Sequence, residues 1–444
     1  MSWSKLLTPK RLGKSGEEDL SLDRTPFQRD YDRIVFSSAF RRLKDKTQVF
    51  SLPKSDYIRT RLIHSHEVSC VGRSLGRIVG EKVVEKHLSD GETKFTSADF
   101  GDIVSSACLA HDIGNPPFGH TGEEAISAAF KTWQQNERES YLSCSQTQEL
   151  ENYEGNALGF RILAKLEMVH RKGGMQLTCP TLAAFAKYPK TAYIDKDTLG
   201  DYTGKSIKKY SFFQSEATLF EEVAIAVGLI RRSPEAYWWS RHPLAFLVEA
   251  ADDICYSIID VEDGYRMKYI SFEKARSLLE PIVGERAEFE AGQSQEEYIK
   301  QLRALAINNL TREAAKIFLD NEEGILSGNF DEDLLSKSEK YSLNEISATT
   351  RSKVFENPDV VGIQVAGYEV LEKLFSEFAN AVLVETKKGK LIRHMIPREY
   401  QPNNDDEAYE KILKVADYIA GMTDSYATAL FQHLSGISIQ QQKI

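Results

Sequence analysis

Apolar residues recur at helical spacing over long stretches of the chain, and few glycines or prolines interrupt them. The longest such pattern covers residues 61–88; residues 97–113 and 121–133 carry two more, so three consecutive helices are predicted. Thr121 with Glu124 three residues on has the capping-box spacing, which places the start of the third. Residues 243–263 predict a fourth helix, with Pro243 suited to its first turn. Further helices are expected over 273–280, 295–319, 367–382 and 405–434. Residues 1–25 are polar and irregular, and read as an arm rather than a core element. Residues 136–148 read as a loop, and 187–210, rich in Lys, Asp, Gly and Tyr, as a surface excursion or short hairpin. The polar stretch 321–344 is the candidate boundary between a core, residues 26–320, and a C-terminal helical region, residues 345–444.

With 444 residues the chain can bury a large core. Its net charge of −10 argues against a general nucleic-acid binder, which needs a basic face, yet leaves room for a small anionic substrate held by local cations. The five cysteines (Cys70, Cys108, Cys144, Cys179, Cys255) form no CxxC pair and are odd in number, the pattern of reduced thiols in a cytosolic protein. No apolar run has membrane-spanning length, and the N-terminal stretch lacks the apolar segment of a secretory signal. A cytoplasmic location without membrane partners is expected.

The candidate chemistry lies on the predicted helices. Steps of three or four from His64 reach Val68, Val71, Leu75 and Ile78, an apolar stripe; the same steps from His66 reach Cys70, Arg73, Arg77 and Glu81, a solvated face. A lone histidine on an apolar stripe is most often a satisfied core residue, so its partners decide. His111 and Asp112 end the second predicted helix, followed by Gly114, suited to a left-handed cap, and by Pro116–Pro117. An aspartate there faces the negative end of the helix dipole and calls for a cation. His120 and Glu123 flank the next helix start, where they suit a proton donor and its orienting carboxylate; the plainer alternative is that Glu123 complements the dipole. On the fourth helix Asp252, Tyr256 and Asp260 fall at i, i+4 and i+8 amid apolar neighbours, and buried carboxylates require a metal or a cation. Two histidines and two aspartates on three helices suit a divalent ion with open positions, not a closed structural zinc cage.

This H…HD…D set comes with longer matching strings: Arg42 to Gln48, Arg59 to Val68, His111 to Glu123, Glu154–Gly155–Asn156, Lys187–Tyr188, Glu249 to Tyr256 and Tyr418 to Asp424. Together they resemble the HD-domain metal phosphohydrolases, and among them the bacterial dGTPase-type deoxynucleoside triphosphate triphosphohydrolases, from about residue 25 to 430. The resemblance implies an all-α fold, an HD-domain helical core with an additional C-terminal helical region. It implies hydrolysis of a dNTP, dGTP first, to the deoxynucleoside and inorganic tripolyphosphate by attack at the α-phosphorus. One divalent ion per subunit, Mg or Mn first and Fe, Ni, Co or Zn also compatible, falls to His64, His111, Asp112 and Asp252. Asp252 is chosen over Asp253 because the family places a tyrosine four residues, and an aspartate eight residues, after the ligand.

By the same matching His120 and Glu123 are the catalytic pair. Gln48 and Asp260 bind the 3′-hydroxyl, and Tyr256 packs on the sugar and excludes a 2′-hydroxyl. Arg61, Lys187 and Tyr188 hold the triphosphate, and Asn156 contacts sugar or phosphate. Asn115 is a departure, since relatives that act on all four dNTPs carry histidine there, which bears on phosphate contacts at that position. The resemblance also implies a homo-oligomer, tetramer or hexamer, with a second dNTP or single-stranded DNA as a possible effector. Two alternatives are another HD nucleotidase or phosphodiesterase, which shares the ligands but not Tyr256, Asp260 and Lys187–Tyr188, and a non-catalytic nucleotide-binding regulatory module, which the full ligand set opposes.

Overall fold

The long amphipathic patterns become long helices in the computed structural model, which describes residues 1–20, 23–48, 59–88, 95–136, 142–403 and 405–438. The helices that build and support the site are α1 (Arg61–His87), α2 (Ser97–Ala110), α3 (His120–Asn136), α4 (Gly155–Ala164), α5 (Pro243–Arg266), α6 (Gln295–Asp320), α7 (Pro358–Leu383), α8 (Ala408–Ala420) and α9 (Asp424–Leu434). Among the described residues the only β pairing is isolated bridges, so the fold is all-α. None of their helices is long and apolar enough to cross a membrane.

Helices α1 and α2 pack along a seam of glycines spaced one turn apart. A Cβ on Gly72 would come within 2.4 Å of Cys108 Sγ, one on Gly76 within 2.6 Å of the Phe100 carbonyl, and one on Gly80 within 2.8 Å of Phe100 Cβ. The backbones therefore approach closely, and the buried face of α1 runs through Val68, Val71, Leu75, Val79 and Val83. Ile78, expected in the stripe, is exposed, because the glycine seam turns the buried face toward Val79. Helix α5 passes through the middle of the fold against α1, α2 and α6, and is buried over most of its length. His242 caps it: Nδ1 accepts the Leu244 N–H (3.1 Å) and Nε2 donates to the Leu6 carbonyl (3.1 Å). The bond accepted at Nδ1 needs the neutral ring, and burial holds its pKa down at about 4.

Several expectations fail for packing reasons. Residues 1–25 are no arm: Trp3, Leu6, Leu7 and Leu12 are buried, Trp3 Nε1 donates to Glu322 (2.9 Å), and buried Arg11 pairs with Asp30. These apolar residues are too few and too irregularly spaced to show a period. Of the loop expected over 136–148, residues 137–141 lie outside the described residues, and residues 144–148 belong to a helix, Cys144–Glu151, with a Ser143–Gln146 capping box. Residues 187–210 form no hairpin on themselves; Lys190 bridges to Trp238 instead. The stretch 321–344 is pinned to the core through buried Glu322 and Asp331, the latter accepting from Ser206 (2.6 Å) and lying in an ion pair with Arg241 (2.8 Å). The last long pattern breaks at 421–423 into α8 and α9, with Thr423 capping α9. Helix α7 packs on α3, α8 and α9, which seats the C-terminal region against the catalytic core.

Candidate metal centre and active site

Three elements converge on the metal centre: the N-terminal turn of α1, the C-terminal end of α2 and the middle of α5. His64 is buried and His66 exposed, as their stripes imply. His64 Nε2 lies 3.1 Å from Asp252 Oδ1, and His111 Nε2 lies 3.6 Å from the same oxygen. One ligand atom from each of the three residues falls within 4.8 Å of the others. The His111 Nδ1–H donates to the Cys108 carbonyl (2.6 Å), which fixes the tautomer and leaves Nε2 free to bind an ion. The donors are two imidazole nitrogens and a carboxylate that burial would protonate but that the neighbouring imidazoles hold ionised, so its pKa is lowered. Such a set fits the divalent ion that an HD domain uses. Asp112 stands slightly apart. It is 3.5 Å from His111 Nε2, but its oxygens accept from Arg61 (2.9 Å) and from Asn115. Arg61 and the two imidazoles overcome its burial and keep it ionised.

The turn after α2 differs from expectation. Gly114 is not left-handed; it is a glycine because α4 crosses it, and a Cβ there would lie 2.0 Å from the Gly155 carbonyl. The left-handed residues are Phe118 and Gly119, each at φ 63°. Gly119 also makes room for Arg61, whose guanidinium would lie 2.5 Å from a Cβ there. Helix α3 starts at His120, one residue early, and Glu124 does not serve a Thr121 cap but accepts from the Tyr368 hydroxyl (2.5 Å).

His120 and Glu123 do come together. His120 Nδ1 is 3.0 Å from Glu123 Oε2, while the imidazole is 77% exposed to the cleft. Its pKa is raised, chiefly by that hydrogen bond. Glu123 is buried and accepts from the Gly155 N–H (2.8 Å). Its burial favours the acid, yet His120 and Lys209 outweigh this and hold it ionised. Lys209 Nζ lies 3.6 Å from Glu123 and 3.0 Å from Glu154. The sequence reading passed over both residues, for nothing in spacing distinguishes Lys209 from Lys205 or Lys208. Asn156, expected on the substrate, donates to Glu154 (2.6 Å).

Along α5, Tyr256 is 40% exposed and stacks on Phe355, ring centroids 5.6 Å apart and planes 14° from parallel. Asp260, one turn further, is buried with Oδ2 lacking a hydrogen-bond partner among the described residues; so is Gln48 Oε1. Burial lifts the Asp260 pKa to about 8. Lys187 pairs with Glu249 (3.0 Å), which Arg241 also contacts, and its ammonium sits 5.8 Å over the Tyr188 ring.

Fold and site together define an HD-domain hydrolase. The HD-domain profile matches residues 61–191, and the phosphohydrolase-associated domain profile matches residues 334–433. The chain is 53% identical to a deoxyguanosinetriphosphate triphosphohydrolase-like protein of Synechocystis, over 99% of this chain and 100% of that one. A protein of the same name from Pseudomonas aeruginosa is 38% identical over 99% of each chain. The deoxyguanosinetriphosphate triphosphohydrolase of Salmonella arizonae is 30% identical over 93% of this chain and 94% of its own. The chain belongs to this family of dGTPase-type triphosphohydrolases.

Proposed function

We propose that the protein hydrolyses a deoxynucleoside triphosphate, dGTP first, to the deoxynucleoside and inorganic tripolyphosphate. The observation that carries this reading is the order of groups on one helix. Asp252 faces the two imidazoles, Tyr256 offers a ring one turn later, and Asp260 presents an unpartnered buried oxygen one turn after that. A nucleotide laid along α5 meets a metal centre, a flat surface and a hydroxyl acceptor in that sequence. Gln48 Oε1 and Asp260 Oδ2 are buried polar atoms awaiting a partner, and a 3′-hydroxyl supplies one. The Tyr256 ring against the sugar leaves no room for a 2′-hydroxyl.

When bound, a divalent ion on His64, His111 and Asp252, with Asp112 drawn in from beside them, supplies charge to the α-phosphoryl oxygens. Two imidazoles suit Mn²⁺ better than Mg²⁺. Arg61 and Lys187 neutralise the triphosphate. Water adds to the α-phosphorus and the bond to O5′ breaks, so O5′ must gain a proton. His120, with Nδ1 tied to Glu123, holds that proton on Nε2 at the cleft wall. Ion chromatography of the products tests the reading. Tripolyphosphate released from a dNTP supports it; orthophosphate or pyrophosphate instead overturns it in favour of another nucleotidase.

A further inference from the structure

None of the residues assigned above to metal, proton transfer or substrate lies between 334 and 433, yet one carboxylate from that region touches both sides of the cleft. Asp424, the first residue of α9, is 2% exposed. Its Oδ1 accepts the Phe118 N–H (3.0 Å), and its Oδ2 accepts the Thr47 N–H (2.9 Å) together with the Thr47 hydroxyl. Phe118 precedes His120 by two residues, and Thr47 precedes Gln48 by one. The neighbouring corner of α8 adds a second link. Lys46 Nζ donates to the Ala420 carbonyl (2.8 Å) and to the Asn115 carbonyl (2.5 Å). Residues 46–47 and the turn 115–118 are therefore both pinned to the α8–α9 corner, and through it to each other.

Phe118 shows that the turn needs holding. A bulky residue at φ 63° is strained, and such a conformation persists only where the surroundings impose it. Asp424 imposes it at the backbone, and Gly367 on α7 does so at the ring, where a Cβ would lie 2.9 Å from Phe118 Cγ.

We infer that Asp424 is a positioning residue, a single buried carboxylate that sets Gln48 and His120 in register so that the 3′-hydroxyl is bound while O5′ meets its proton donor. This rests on the dNTP reading. The carboxylate is needed because both of its oxygens accept. In Asp424→Asn one of them becomes an NH₂ group, which cannot accept from Thr47 or from Phe118, so one side must come loose at nearly constant volume.

Two measurements on the full-length protein test this separately. Hydrogen exchange needs no turnover: D424N should deprotect the peptide holding Thr47 or the one holding Phe118, whichever the amide no longer accepts from, and a rise in neither overturns the inference. In kinetics kcat should fall roughly 10–100-fold, the scale of misplacing reacting groups by about an ångström. The preference for a dNTP over the 2′,3′-dideoxynucleoside triphosphate should shrink at the same time. A lower kcat with the wild-type preference intact marks Asp424 as merely structural and overturns the inference. Thr47→Val, which removes only the hydroxyl donor, covers the case in which D424N does not fold; it should narrow the same preference, and no change overturns the proposal. A wild-type protein inert toward every dNTP would sink the functional reading and leave hydrogen exchange to judge Asp424.

Discussion

At the metal end of the cleft the buried polar groups hold one another: His64 and His111 lie against Asp252, and Asp112 accepts from Arg61 and Asn115. At the end proposed for the sugar, Asp260 Oδ2, two turns beyond Asp252 on α5, and Gln48 Oε1 are buried without partners among the described residues. The difference separates two kinds of preorganisation. Opposite charges packed together stay ordered whether or not an ion is bound, so the metal end supports the fold as well as the chemistry. An unpartnered buried acceptor costs stability, and only a ligand donor returns it. On the proposed reading, this end serves recognition at the expense of the fold.

The largest expected effect lies at the metal end. Asp252→Asn should cut kcat/KM by more than about 100-fold, beyond the loss typical of residues that only orient ligands. Asp253→Asn should stay within about 3-fold, because burial has already lifted the Asp253 pKa to about 8 and the amide resembles the neutral acid. Equal losses in steady-state assays would mean that the two acids had been confused.

At the end proposed for the sugar, Gln48→Ala and Asp260→Ala should each lower kcat/KM for a dNTP about 10- to 100-fold, the worth of a hydrogen bond to a buried or charged group. The same variants should act on the 2′,3′-dideoxynucleotide nearly as wild type does. If both substrates lose alike, the unpartnered oxygens are not reading the 3′-hydroxyl.

The smallest effect is on stability. The Asp260 carboxyl titrates at about 8 in the fold and near 4 in the unfolded chain. Below pH 4 both states are protonated; as pH climbs from about 4 to 8 the unfolded state alone ionises, and the wild type loses stability. Asp260→Asn removes that loss. Calorimetry of the metal-free proteins should find the variant more stable, by a margin that widens between pH 5 and pH 8. A margin independent of pH would show that the carboxyl is solvated after all.

Local spacing explains which features the sequence discloses. His64 was separable from His66 because an exposed and a buried face differ in what lies three and four residues away. The Asp252–Tyr256–Asp260 stripe was visible for the same reason, although choosing Asp252 over Asp253 took the family's spacing. What stayed hidden depends on contacts distant along the chain. Asp424 ends the matched string Tyr418 to Asp424, but it acts on residues 306 and 377 positions away, and no local pattern discloses that role. Gly114 resembled a helix cap, whereas its reason is the crossing of α4. Trp3 and Leu6 were lost among lysines and serines because four residues make too short a helix to show a period.

The glycine seam between α1 and α2 acts as a gauge. His64 rides on one of these helices and His111 ends the other, and with backbones in contact neither can slide or tilt without colliding. The two rings, 5.3 Å apart, are therefore held at a fixed spacing, the bite of the proposed chelator. In a saturation mutagenesis screen Gly72, Gly76 and Gly80 should score like active-site residues, although none of them carries a single reactive atom.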